Sequence, residues 1–384
     1  MLNLAVLLEE STRKYPKKDA FIFMEKHLSF EQINGAANQI ANGLNSLGIQ
    51  KGDRVALSCL NLPYFPMVYF GILKAGAIVV PLSVLLKHDE IEYHLQNSGA
   101  KAYFCFEGTK ELPMAKEGYE GFQRVSDCEH FFVITPQMTD PSPIKETKTL
   151  GMLMANQSPF YNTVQTGADD TALIIYTSGT TGKPKGAELT HSNLALNAMM
   201  SEKILDLKKE DTQLIVLPLF HIFAMTVLMN AGLYVGATSV LLPRFEASQV
   251  LGLMQKHKVS IFAGVPTMYW GLLNCDSKEF DLKEIAKNLK SCVSGGAALP
   301  VNVLENFEAK FNVPIYEGYG MSEGSPVVTF NQKEFGKKPG SVGVPIWGVE
   351  VKIVDEKGEE LPAGEKGELI YRGHNVMKGY YDNP

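Results

Sequence analysis

Apolar residues recur along this chain with two periods, one typical of helices and one typical of strands. The first clear helix begins at Ser29, which forms a capping box with Gln32, and ends near Gly48. Its apolar face consists of Phe30, Ile33, Ala37, Ile40, Leu44 and Leu47. The pattern that follows predicts strands at 54–60, 78–80 and 102–106 and helices at 66–75 and 89–96. This alternation is typical of a largely parallel sheet covered by helices.

A second series of short apolar runs predicts strands near residues 172, 214, 238, 260, 290 and 314. Beyond residue 340 the pattern changes to short alternating strands, which are predicted at 350–354 and 368–372. The predicted fold class is therefore α/β, with two helix-covered, largely parallel β-sheet subdomains and a small β-rich subdomain. We expect the first subdomain, with a surface crossing at its end, in residues 1–170, the second in 171–330 and the β-rich one in 331–384.

Composition excludes some classes of protein. The 384 residues are 45% hydrophobic and 20% charged, which is typical of a globular protein, and the net charge of −6 offers no basic field for a nucleic acid. The five cysteines lie far apart without metal-type spacing, so we expect free thiols in a reducing cytoplasm. The prediction is a cytoplasmic protein that does not bind nucleic acid.

Two long apolar stretches, 59–86 and 214–243, have the length of membrane-spanning helices, and among Asp, Glu, Lys, Arg and His each contains one residue, Lys74 and His221 respectively. Prolines and glycines interrupt both stretches, which favours buried strands and helices over spans. Peripheral contact with a lipid surface stays open as an alternative, as does a homodimer.

The segment 176–186 reads YTSGTTGKPKG and follows an apolar run at 172–175 that is short enough for a buried strand. Its hydroxyls, glycines and lysines offer backbone donors and positive charge to an anion, and a helix is predicted to start at Thr190. A P-loop needs four residues between its glycines and a hydroxyl residue directly after lysine. Only two residues separate Gly179 from Gly182, and Pro184 follows Lys183. The segment therefore predicts a polyphosphate site of another kind.

Four further motifs follow in the order LPLFHIFA at 217–224, SGGAA at 294–298, YEGYGMSE at 316–323, and GEL at 367–369 leading to GYY at 379–381. Together with the segment 176–186 they resemble the adenylate-forming superfamily. This superfamily includes acyl-CoA synthetases, aryl-CoA ligases, peptide-synthetase adenylation domains and beetle luciferases. The resemblance runs from near the N-terminus to the last residue.

The resemblance implies an acid–thiol ligase that uses ATP, Mg²⁺ and coenzyme A. Thr177 and Glu323 would be near or bind the metal, and Lys185 and His221 would be catalytic. Nucleotide contacts are implied for Thr177, Ser178, Gly179, Thr180, Thr181, Gly182, Lys185, Gly296, Ala297, Glu317, Gly318, Tyr319 and Ser322.

The acyl group is expected in an apolar pocket reached by a tunnel past Gly320. The residues expected around it are His221, Phe223, Val265, Tyr269, Gly295 and Gly320. Peptide-synthetase domains usually carry an aspartate near the position of His221, and its absence here argues against amino-acid substrates. A medium- or long-chain fatty acid is the first prediction, and an aryl acid is the alternative.

Two other interpretations stay open. A luciferase-like oxygenase would share almost every motif, and a non-catalytic module could bind a nucleotide or acyl-adenylate without turnover. Members of the superfamily continue beyond the position of Pro384 with a Thr-Gly-Asp strand, a hinge and a small C-terminal domain that carries the adenylating lysine. The resemblance therefore predicts that this chain corresponds to the large N-terminal domain.

Overall fold

Helices begin at the capping residues that the sequence predicts. A computed structural model of the protein describes residues 2–178 and 182–383. The Gln32 amide donates to the Ser29 hydroxyl at 3.3 Å, while Ser29 N donates to Gln32 Oε1 at 2.8 Å, which confirms the capping box. Thr190 and Asn193 form the same reciprocal pair at the start of the helix predicted there.

Strands in the described residues are numbered in chain order. They are β1 (Asp19–Phe23), β2 (Lys26–Ser29), β3 (Arg54–Ser58), β4 (Ile78–Pro81), β5 (Ala100–Phe106), β6 (His130–Ile134), β7 (Lys148–Thr149), β8 (Thr171–Thr177), β9 (Lys185–Thr190), β10 (Thr212–Ile215), β11 (Thr238–Leu241), β12 (Ile261–Gly264), β13 (Ser291–Ser294), β14 (Ile315–Gly320), β15 (Val327–Phe330), β16 (Val344–Pro345), β17 (Val349–Val354), β18 (Glu368–Gly373) and β19 (Gly379–Tyr380).

The α-helices are numbered in the same way. They are α1 (Val6–Lys14), α2 (Phe30–Ser46), α3 (Tyr64–Lys74), α4 (His88–Ser98), α5 (Met114–Phe122), α6 (Leu150–Met154), α7 (His191–Leu205), α8 (Ala231–Val235), α9 (Ala247–His257), α10 (Pro266–Asn274), α11 (Leu282–Asn288) and α12 (Val301–Phe311). A π-helix, Phe223–Asn230, leads directly into α8.

Two large sheets organise the molecule. One has the strand order β16-β15-β14-β13-β12-β10-β11-β1-β2, and the other has the order β19-β9-β8-β4-β3-β5-β6-β7. Neighbouring strands are parallel through the centre of each sheet, and antiparallel pairs occur at the edges. Strands β17 and β18 form a separate antiparallel pair. The predicted α/β fold class is confirmed.

Strand pairing does not follow the boundary that we predicted between residues 170 and 171. Strand β8 pairs with β4, so the strand that leads into the predicted phosphate-binding segment, residues 176–186, belongs to the sheet formed mainly by the first part of the chain. Conversely, β1 pairs with β11 and joins the other sheet. The chain thus crosses from one sheet to the other after β2 and crosses back after β9. Packing rather than position in the sequence determines the partner of each strand.

The two long apolar stretches form buried elements, as predicted. Residues 59–86 contribute α3 and β4, and residues 214–243 contribute the end of β10, the π-helix, α8 and β11. Lys74 is 1% exposed within α3, where its charge is paired with the Glu9 carboxylate. In the described part of the chain, no helix is both long and apolar enough to span a bilayer.

Candidate active site

Two cavities meet at the carboxyl ends of strands from both sheets. The smaller, of about 250 Å³, lies beside the ends of β13 and β14, and the larger, of about 790 Å³, lies between α4 and the phosphate-binding segment. His221 and Ser322 line both cavities. In parallel α/β sheets, ligands bind at this edge of the sheet, so the position fits a substrate site.

Strands β8 and β9 pair as a hairpin on either side of the predicted phosphate-binding segment. Thr177, the last residue of β8, pairs with Lys185, the first residue of β9. Strand β9 was missed by the sequence analysis, which predicted only the helix after it. Gly182 has a φ of +151°, which favours glycine at this position. The predicted contacts at Gly179, Thr180 and Thr181 lie outside the described residues.

Helix α4 supports the hairpin from one side. The Tyr93 hydroxyl donates to the Pro184 carbonyl at 2.7 Å, and the Lys183 ammonium lies 5.3 Å from the centre of the same ring. The Tyr176 hydroxyl donates to Asn97 Oδ1 at 2.6 Å. These contacts fix the two sides of the loop to a rigid helix.

The predicted metal-binding residues come together across two elements. The Thr177 hydroxyl lies 3.3 Å from Glu323 Oε1, in the short 3₁₀ turn after β14. Tyr380 also donates its hydroxyl to Glu323 Oε1, at 2.8 Å, and the Lys185 ammonium lies 5.3 Å from the Tyr380 ring centre. The sequence analysis did not assign Tyr380 a role. Its place in the GYY motif was the available signal.

This group is small for a metal site made by protein alone. Among the described residues, no cluster of three or more His, Cys, Asp and Glu side chains could hold an ion. Mg²⁺ usually takes one or two carboxylates and completes its shell with phosphates and water. A hydroxyl and a carboxylate beside a phosphate-binding loop therefore fit an ion that arrives with its nucleotide.

His221 lies where the two cavities join. Its Nδ1 accepts a hydrogen bond from the Phe223 amide at 3.2 Å, so the proton of the neutral ring sits on Nε2. The ring keeps contact with solvent through the cavities, but the surrounding walls displace enough water to lower the pKa of His221 below its ordinary value of 6.5. The side chain is therefore a neutral hydrogen-bond donor at physiological pH.

The predicted adenine turn follows β13. Gly296, with a φ of +80°, lines the smaller cavity together with Gly318 and Tyr319, whereas Ala297 is exposed beside them. Glu317 is 5% exposed, and its Oε1 accepts from the Leu299 amide at 3.1 Å. Its carboxylate thus holds the turn in place from the neighbouring strand. A contact of Glu317 with a nucleotide stays a prediction.

The smaller cavity has an apolar wall and no Asp, Glu, Lys or Arg among its lining residues in the described chain. It includes Phe223 and Gly295, as predicted from the sequence, and a Cβ at position 295 would lie 3.2 Å from the Phe223 ring, a tight contact that requires the ring to shift. Further apolar residues in the wall are Ile204, Val227, Met321, Val327 and Phe330. The apolar run 326–330, which directly follows the YEGYGMSE motif, could have indicated the last two.

Two predicted acyl contacts have other positions. Tyr269 is fully buried in α10, where it packs between Phe262 and Phe307 and donates to the Val293 carbonyl at 2.6 Å, so it belongs to the core. Val265 caps α10 and is not among the residues that line either cavity described here.

Gly320 lines the smaller cavity, but it does not open a tunnel in the direction of its missing side chain. A Cβ there would lie 2.1 Å from the Pro326 carbonyl oxygen. The glycine is required by the close approach of two backbone segments.

Known proteins resemble this chain in sequence and in fold. The family model of AMP-binding enzymes matches residues 8–381. The chain belongs to the AMP-binding enzyme family. A relative in this family, the long-chain-fatty-acid–CoA ligase of Bacillus subtilis (strain 168), is 34% identical over 409 residues, which cover 100% of this chain and 71% of that ligase. The resemblance stated from the motifs is thereby confirmed.

Solved structures share the arrangement of the two sheets. The anthranilate CoA ligase AuaEII in complex with anthranoyl-AMP is 30% identical with a TM-score of 0.91, and the match covers 99% of this chain and 71% of that one. The inhibitor-bound N-terminal domain of FACL13 from Mycobacterium tuberculosis is 27% identical with a TM-score of 0.85. That match covers 100% of this chain and 92% of the FACL13 domain.

Proposed function

We propose that this family member activates a carboxylic acid with ATP to form an acyl-adenylate, and that the acyl group is then transferred to coenzyme A. The observation that carries the proposal is the junction at His221. This side chain is shared by an apolar cavity without charged residues and by a cavity bordered by the phosphate-binding hairpin. An acid and a nucleotide bound in the two cavities would meet there.

In the first step, a carboxylate oxygen of the acid forms a bond to the α-phosphorus of ATP, and the bond from that phosphorus to the bridging oxygen breaks to release pyrophosphate. The neutral His221 ring can donate from Nε2 to the carboxylate and orient it. Lys185 and the backbone of the hairpin would hold the β- and γ-phosphates. Such a reaction depends mainly on position and charge.

Thr177 and Glu323 would hold Mg²⁺, which neutralises charge on the polyphosphate when it is bound. In the second step, the sulfur of coenzyme A attacks the acyl carbon and AMP leaves, while the thiol proton passes to solvent or a base. The apolar wall of the smaller cavity would enclose the acyl group. A fatty acid fits the absence of charged lining residues.

An aryl acid is the second candidate substrate. The aromatic rings of Phe223 and Phe330 border a cavity of only about 250 Å³, which suits a flat, compact acyl group. The relative AuaEII, whose structure contains anthranoyl-AMP, supports this alternative. Membrane contact, a homodimer and a cytoplasmic location stay predictions.

Acid-dependent ATP–pyrophosphate exchange tests the proposal. The acids should include acetate, octanoate, palmitate, benzoate and ferulate, each with and without coenzyme A and with thioester detection. We expect exchange with one apolar class of acid and none with amino acids. Binding of an acyl-sulfamoyl adenosine without exchange by any acid would favour a non-catalytic binding module instead.

A further inference from the structure

The last described strand joins both halves of the proposed nucleotide site. Its neighbours donate backbone hydrogen bonds to β9, from Lys378 N to the Glu188 carbonyl at 2.9 Å and from Tyr381 N to the Gly186 carbonyl at 2.7 Å. Met377 N donates to the Glu323 carbonyl at 2.9 Å. One short segment therefore holds the hairpin and the 3₁₀ turn of Glu323 in a fixed relation.

Tyr380 carries this connection into the side chains. Its hydroxyl donates to Glu323 Oε1 at 2.8 Å, and the Thr177 hydroxyl approaches the same oxygen at 3.3 Å. Among the described residues, no hydrogen bond reaches the other carboxylate oxygen, Oε2. The ring of Tyr380 lies 5.3 Å from the Lys185 ammonium. The phenol thus contacts both the carboxylate and the cation that the proposed function assigns to the nucleotide.

We propose that Tyr380 is a positioning residue for the metal–nucleotide complex, because it fixes Glu323 through Oε1 and leaves Oε2 available as a metal ligand. The inference rests on the proposed role of Glu323. A carboxylate on a partly exposed turn can rotate, and each orientation that turns Oε2 away from the ion would weaken binding. Hydrogen bonds to charged acceptors are strong and directional, and partners of this kind commonly set the affinity of a metal ligand.

The two donors are placed by different parts of the fold. Thr177 ends β8, whereas Tyr380 is held by its backbone against β9, and both converge on one oxygen. At a partly exposed site, a hydroxyl that served only packing could donate to water equally well. The hydrogen bond to the carboxylate therefore supports a positioning role. The same ring limits where the Lys185 ammonium can move, since a cation is attracted to the face of a phenol.

Tyr380→Phe tests the inference, with Tyr381→Phe as the matched control in the same segment. The first variant removes the hydroxyl and keeps the ring beside Lys185, and the second removes a neighbouring hydroxyl that makes no hydrogen bond to Glu323 among the described residues. Calorimetry would measure ATP affinity as Mn²⁺ or Mg²⁺ is titrated, and again in EDTA. We expect Tyr380→Phe to raise the metal concentration for half-maximal ATP binding about 10-fold or more. The control should not change it, and affinity in EDTA should be the same in all three proteins.

Glu323→Gln and the double variant separate failure of this inference from failure of the proposed function. If the inference is right, Glu323→Gln also raises the metal requirement, and adding Tyr380→Phe to it has little further effect. A raised requirement in Glu323→Gln with a parental value in Tyr380→Phe would overturn the positioning role alone. An unchanged requirement in Glu323→Gln would overturn the metal role of Glu323. Equal losses in metal and in EDTA, accompanied by a lower melting temperature, would assign Tyr380 a purely structural role.

Discussion

At the scale of single residues, the site depends on side chains whose state is set by the hydrogen bonds they make with other residues. The Phe223 amide determines which nitrogen of His221 carries the proton, and Tyr380 contacts the carboxylate of Glu323. The sequence motifs indicated His221 and Glu323 themselves. They did not indicate the two hydrogen bonds, because one depends on the local backbone at Phe223 and the other on the packing of Tyr380, 57 residues from Glu323 in the chain.

We predict that Lys185→Ala slows acid-dependent ATP–pyrophosphate exchange by about 2–4 kcal/mol in transition-state binding, by analogy with lost donors in other active sites. Lys183→Ala is the matched control. Lys183 lies two residues from Lys185, and its ammonium lies near the Tyr93 ring instead of the Tyr380 ring. Its effect should be smaller. An equal loss in both variants would mean that the loop needs only total charge.

His191 predicts a loss of stability in acid. It is 1% exposed, accepts a hydrogen bond from Leu4 N at Nδ1 (3.0 Å), and burial lowers its pKa from 6.5 to about 4. Below pH 6.5, His191 therefore binds a proton in the unfolded chain but stays neutral in the folded chain until the pH approaches 4. The resulting loss begins as pH falls below 6.5 and reaches about 2 kcal/mol at pH 5.

Denaturant unfolding at pH 7 and pH 5 would measure this loss. His191→Gln keeps an acceptor near Leu4 N but cannot titrate, so its unfolding free energy should change less between the two values. The same pH dependence in His191→Gln as in the parent would contradict the assignment.

At the scale of elements, sequence patterns predicted most of the central strands of the two large sheets but only four of the described α-helices, namely α2, α3, α4 and α7. Strand β9 reads KGAELT and was not recognised, because only its pairing with β8 makes it a strand. Phe223 was expected to lie beside the acyl group, but apolar composition does not distinguish the π-helix that begins there from an α-helix. π-Helical turns are often found at functional sites, and here Phe223 and Val227 from this turn face the cavity.

The crowded turn at Gly320 changes an expectation taken from the sequence. The sequence predicts a tunnel past Gly320, so a large side chain at this position was expected to block the tunnel and shift preference to short acids. Because a Cβ at Gly320 would lie 2.1 Å from the Pro326 carbonyl oxygen, Gly320→Ala should strain the pairing of β14 with β15. We expect a loss of about 1–3 kcal/mol in unfolding free energy and weaker binding of both acid and ATP.

Val227→Phe is the better probe of acyl selectivity, because Val227 lies in the cavity wall on the π-helix. The larger ring should reduce exchange with long acids while ATP affinity stays near the parental value. Competition between octanoate or longer acids and acetate would measure this shift. A parental chain-length profile in this variant would place the acyl group elsewhere.

At the scale of the whole molecule, each large sheet contains strands from both sides of the predicted boundary at residue 170. We predict that residues 171–383 expressed alone do not fold cooperatively, because β8 would lack β4 and β11 would lack β1. Circular dichroism and dye binding would show a partly ordered chain with exposed apolar surface. A sharp thermal transition in this fragment would support the domain boundary predicted from the sequence. Local patterns could predict the class of fold, whereas the choice of sheet depends on distant contacts, since paired residues are 94 positions apart in β4 and β8 (Val79 and Leu173) and 218 apart in β1 and β11 (Phe21 and Ser239).

The wall shared by the two cavities makes acid and nucleotide thermodynamically dependent on each other. Both ligands would contact His221 and Ser322, so each changes the surroundings of the other. Linkage then requires that the factor by which ATP alters affinity for the acid equals the factor by which the acid alters affinity for ATP. If the coupling is positive, each compound binds more weakly alone, and occupancy of the site depends on the concentrations of both compounds together.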